Sequence, residues 1–209
     1  MRKLLIFLAV VLLSVAAPAQ AAWQWYVCPS DNFALQMPGP PKLENVKFSM
    51  PRHKAALAAR TYSATVDNMV FRMMVADYSD RIPDGASILA EAMYQHTETD
   101  DHGLANGKIM SDVPTRIENP ARGATYGRTI TVDIPGIGGR NITAFYFRDG
   151  HLYEQSIIIL PANGDYSSPF GSRFIDSLLF NLSRLDEETG GKHEFIAGCG
   201  KEIKPFTFK

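Results

Sequence analysis

Asp149-Gly150 stands between two long apolar runs, one from Asn141 to Arg148 and one from His151 to Pro161. Asp-Gly in that setting is the strongest short-range hairpin signal, because both turn residues tolerate positive φ. A two-residue turn sets Arg148 against His151, Phe147 against Leu152 and Tyr146 against Tyr153. Side chains alternate along a strand. One face therefore carries Phe145, Phe147, Leu152, Ile158 and Leu160, and the other Ile142, Tyr146, Tyr153, Ile157 and Ile159. Both faces are apolar and both need cover, which predicts a central hairpin with a layer on each side.

The rest of the chain supplies more strands of the same kind. Trp23–Cys28 and Phe33–Met37 alternate around the turn chemistry of Pro29-Ser30-Asp31-Asn32, and Glu44–Met50 reads as an edge strand. Ala55–Val66 and Met69–Tyr78 form a second hairpin across Asp67-Asn68, and Lys108–Glu118 pairs with Ala124–Asp133. Two helices complete the pattern. One opens after Pro83 with Asp84 or Ser87 as cap and a stripe of Ile88, Leu89, Ala92, Met93 and His96. The other opens at Ser168-Pro169 with Phe170, Phe174 and Leu178 on its stripe. This order predicts an α+β fold, with the helices covering a central antiparallel sheet as an α/β/α sandwich. After Asn181 the chain turns polar, and a loosely held tail over 183–209 is expected.

Residues 1–22 have the three parts of a secretory signal: Arg2-Lys3, an apolar stretch from Leu4 to Val15, and Ala19-Gln20-Ala21 ahead of the cut. Export to the periplasm or the medium is expected, with no membrane span in the mature chain. Removing two basic residues from 21 leaves 19 against 22 acidic ones, a net of −3. That balance gives no electrostatic footprint for nucleic acid. The mature chain keeps two cysteines, Cys28 and Cys199, which in an oxidising compartment predict one disulfide between the first strand and the tail.

The segments Phe33-Ala34-Leu35-Gln36-Met37-Pro38, the strand pair around Asp149-Gly150, and Phe174-Ile175-Asp176-Ser177-Leu178-Leu179-Phe180 give the chain a resemblance to the PsbP-like fold family. That family is named for the extrinsic protein of photosystem II and includes bacterial exported proteins. The resemblance covers most of residues 23–182. It implies a single domain there and a role in binding or assembly, and carries over no functional residue.

Candidate chemistry is sparse. His96-Thr97-Glu98-Thr99-Asp100-Asp101-His102 places two histidines among carboxylates, and His96, Asp100 and His102 are the candidate metal ligands. Their spacing is not H-E-x-x-H, and six residues separate the two imidazoles at a helix end, so a solvated helix terminus explains the cluster as well. Gly136-Ile137-Gly138-Gly139 lacks the spacing and the following helix of a phosphate loop and reads as a hairpin connection. Neither G-x-S-x-G nor S-x-x-K occurs. His151 and Glu154 are three apart on one strand and face opposite ways, and His53 sits in a small basic loop. Trp23 and Trp25 share a strand face and are the candidate interface residues. The expectation is a non-catalytic binding or assembly module with no cofactor. Its partner would be an envelope protein, or a small hydrophobic ligand if it is a carrier. A metal-dependent hydrolase is the third reading.

Overall fold

The computed structural model describes residues 23–49, 56–80, 84–98, 107–118, 123–136, 138–160, 166 and 168–203. In chain order the elements are β1 (Gln24–Cys28), β2 (Phe33–Met37), β3 (Lys42–Phe48), β4 (Leu57–Val66), β5 (Met69–Asp77), α1 (Gly85–Glu98), β6 (Lys108–Ile117), β7 (Thr125–Ile134), β8 (Gly139–Arg148), β9 (His151–Ile159), α2 (Pro169–Ile175), α3 (Leu185–Thr189) and β10 (His193–Phe195). Seven strands form one antiparallel sheet in the order β3-β4-β5-β9-β8-β7-β6. The hairpin predicted around Asp149-Gly150 lies inside it, flanked by β5 and β7. Its register is the expected one: Arg148 pairs with His151, Phe147 with Leu152 and Tyr146 with Tyr153. Both turn residues have positive φ, 48° at Asp149 and 78° at Gly150.

The expected α+β sandwich with helices on both faces is not what forms. The chain is mostly β, and the second layer on one face is itself a sheet. β1 and β2 leave the large sheet and pair with each other, and β10 joins β1 in parallel. Tyr26, Cys28, Phe33, Leu35 and Met37 of this small sheet are buried in one cluster with Tyr62, Phe71, Met73, Tyr146, Tyr153 and Ile157 of the large one. The reason is length and alternation. α2 has seven residues, about 10 Å at 1.5 Å each, too short to roof a seven-stranded sheet. The apolar face of β1 and β2 supplies the missing cover. Ser168 caps α2 as expected, its Oγ accepting from Phe170 N. The helix stops at Ile175, however, so Leu178 lies beyond it, and Leu179 bridges to Ala34.

The opposite face is covered by α1. The Asp84 carboxylate accepts hydrogen bonds from the backbone N–H of Ala86 and Ser87 and from Ser87 Oγ, which fixes the start of the helix. Ile88, Ala92 and His96 are buried, and Leu89 and Met93 pack beside Phe145, Leu152, Ile130 and Val132. Residues 182–203 are packed against the small sheet. Leu182 and Leu185 are buried against Val27 and Ala34, β10 extends the small sheet, and Cys199 is bonded to Cys28. Among the described residues no helix is long and apolar enough to cross a membrane.

Candidate functional site

His96, on the inner face of α1, is 4% exposed and is turned into the protein. Its Nε2 is 2.9 Å from Asn141 Oδ1 and 3.0 Å from Thr143 Oγ1, and its Nδ1 is 3.4 Å from Glu154 Oε1. Arg72 Nη2 donates to the same Glu154 oxygen at 2.8 Å, and Asn141 and Thr143 both donate to Ser156 Oγ. Hydroxyl, imidazole and carboxylate thus follow one another, as they do in hydrolases. Thr143 has no exposure, and the hydrogen bonds of this cluster join α1, β8 and β9, with Arg72 of β5 reaching Glu154. Asp100, His102 and His53 lie outside the described residues. Among the described residues no group of three or more His, Cys, Asp or Glu side chains is placed to hold a metal ion.

The two indoles do not share a surface. Trp23 precedes β1 and packs edge-on against Phe71 at 5.4 Å, with the Arg173 guanidinium 4.9 Å above its ring. Trp25 packs in the outer cluster with Val27, Leu182 and Leu185. Both are half-buried.

Polar groups converge instead at the end of the large sheet beside the β8–β9 turn. An open cleft of about 460 Å³ is lined there by Asp31, Asn45, Arg60, Asp77 and His151 over an apolar floor that includes Val75. Asp31 follows β1 in the one-turn helix Pro29–Asp31 and is 4% exposed. Its charge is compensated twice: the Arg60 guanidinium pairs with one carboxylate oxygen and the Tyr62 hydroxyl donates to the other. Arg60 also donates to Ser30 Oγ at 3.2 Å, and Tyr153 donates to the Asp31 carbonyl at 2.9 Å. Burial pushes the Tyr62 phenol up to about 12, with Arg60 opposing. Burial likewise raises Tyr153, and Asp149 adds to it. Both phenols stay protonated and serve as donors.

The Asp31–Tyr62 pair lies against the disulfide. Cys28 and Cys199 are bonded with their Cα atoms 4.9 Å apart, and the Tyr62 oxygen lies 3.2 Å from Cys28 Sγ. No protein-family model and no curated protein matches this chain.

At the cleft rim Asp77 and His151 are direct partners across β5 and β9, with Asp77 Oδ1 3.7 Å from His151 Nε2. Hydrogen bonds from the Ser79 side chain and backbone N–H hold the Asp77 carboxyl below the usual carboxylate range. His151 Nδ1 lies 2.9 Å from the Asp149 carbonyl, which sets the ring's orientation. A second cleft of about 480 Å³ flanks the other side of the same turn, between Gly85, Tyr126, Phe147 and Arg148. Its buried cation is already committed, since Arg148 donates to Thr125 Oγ1 at 2.7 Å and to Asp149.

The sequence puts His151 beside a turn and Asp31 in one, and marks none of Asp31, Asn45, Arg60 and Asp77 as a site residue. They sit on five different segments that only the sheet order brings together, and no spacing rule connects them.

Proposed function

We propose that the mature chain is an exported, non-catalytic binding module of the cell envelope that takes its ligand in the cleft at Asp31, Asn45, Arg60, Asp77 and His151. One observation carries this reading: five polar side chains from five segments converge on one cleft of about 460 Å³. That size lies within the roughly 300–1,000 Å³ of small-molecule sites, and a few convergent polar groups over an apolar floor is how such sites orient a ligand. The disulfide fits an oxidising compartment, in line with the signal pattern of residues 1–22. The PsbP-like resemblance points to binding as well.

A carrier of hydrophobic ligands has less support. Both faces of the large sheet are filled by their own side chains, and the cleft is rimmed with charge. The test is a thermal-shift and NMR screen of the mature protein against small polar metabolites. Binding that perturbs the backbone amides of Asn45, Arg60, Asp77 and His151 is the expected result; silence at those amides across the panel overturns it. Cell fractionation with and without residues 1–22 tests the export part, with loss of periplasmic protein expected on deletion.

A further inference from the structure

Arg60 and Asp77 carry opposite charges, face one cleft, and do not bond each other. Arg60 pairs with Val75 across β4 and β5, and Asp77 lies two residues further along β5 on the same face. Such diagonal neighbours stand about 7–8 Å apart. Each is held by its own side: Arg60 by Asp31 and Ser30, Asp77 by Ser79 with His151 alongside. Both reach solvent, with side chains 32% and 50% exposed, so each keeps bonding capacity directed to the cleft. Arg60 has five N–H donors, and the two bonds to Asp31 and Ser30 leave others open. The exposed Asn45 amide lies opposite Arg60 across β3 and β4.

The geometry points to a small zwitterion as the ligand of this cleft, an α-amino acid or a molecule of like charge pattern, with its carboxylate on Arg60 and Asn45 and its ammonium on Asp77. This inference rests on the binding reading above and adds the ligand's chemical class. A planar guanidinium is matched to a carboxylate, while a carboxylate held ionised is matched to an ammonium. Val75 and Ala58, on the same sheet face as Arg60, leave an apolar floor for a short aliphatic side chain. A ligand of single charge satisfies one end and desolvates the other without a partner, which costs affinity.

Three four-carbon probes test this on the ¹⁵N-labelled mature protein: L-2-aminobutyrate, n-butylamine and n-butyrate, followed at the amides of Asn45, Arg60, Asp77 and His151. Aminobutyrate is expected to bind at least tenfold more tightly than either singly charged probe. Asp77→Asn is expected to remove that tenfold advantage, and Asn45→Ala, on an exposed edge strand, to weaken binding severalfold without disturbing the fold. Butylamine or butyrate binding as tightly as aminobutyrate overturns the zwitterion and leaves the cleft as a binding site. Silence from all three probes, with a hit at these amides from the wider polar screen, likewise overturns the zwitterion alone. Silence from the whole screen overturns both.

Discussion

His96 Nδ1 stands 3.4 Å from Glu154 Oε1 beneath α1, and the side chains are only 2% and 4% exposed. The same oxygen takes Arg72 Nη2 at 2.8 Å, so one carboxylate ties α1 to two strands of the large sheet. Removing one partner of a buried charged group leaves the other unsatisfied, at about 3–5 kcal/mol. Glu154→Ala is expected to destabilise the fold by about that much. His96→Ala also destabilises it, and a double-mutant cycle in urea shows the two losses to be less than additive.

The phenol of Tyr62 sets a limit at high pH. Burial pushes it up from the ordinary 10.0 to about 12, so the protonated form is preferred in the folded state. The unfolded chain releases this proton first as pH rises. The stabilisation is fully present below pH 10 and is lost as pH rises from about 10 to 12. Urea midpoints measured across that range should fall, and Tyr62→Phe should flatten the fall while lowering stability at pH 7, because Asp31 loses a donor.

The disulfide joins residues 171 apart in sequence. Closing a loop of that length constrains the unfolded chain by about 5 kcal/mol on the chain-entropy account. Cys28→Ala with Cys199→Ala is expected to lower the unfolding free energy by up to about that amount. Hydrogen exchange at Glu194 and Phe195 should accelerate first, because β10 is held beside β1 by three pairings and this bond. Both sulfurs are buried, so mild reductant should act on the folded protein only slowly.

Gly127 has no room for a side chain. A Cβ there would meet the Phe145 carbonyl oxygen and come 2.6 Å from Tyr146 Cδ1. Gly127→Ala is expected to cost about 1–3 kcal/mol or more by overpacking. Gly136→Ala, where nothing lies within 4 Å, should melt within a few degrees of the parent.

Much of the strand pairing was legible from residues alone. Asp149-Gly150 gave its hairpin in the observed register, and Asp67-Asn68 joins β4 to β5 with Asp67 at a positive φ of 52°. The Asp84 cap and the buried stripe of α1 were legible for the same reason: they follow from local backbone sterics and hydrogen bonding within a few residues. The hairpin face under α1, apolar by its large residues in the sequence, is mixed in the structure. It buries Asn141, Thr143, Glu154 and Ser156, because His96 and Arg72 arrive from elsewhere to satisfy them.

The chain's own residues determined where strands begin, which way they turn and which cysteines join, since those follow from torsions, alternation and number. Only the tertiary structure decided that β1 and β2 leave the large sheet to roof it, and that β10 closes the small sheet in parallel. It also gathered Asp31, Asn45, Arg60, Asp77 and His151 around one cleft. Layer choice depends on how much apolar surface each distant segment can hide against another, a sum over the whole molecule that no local window contains.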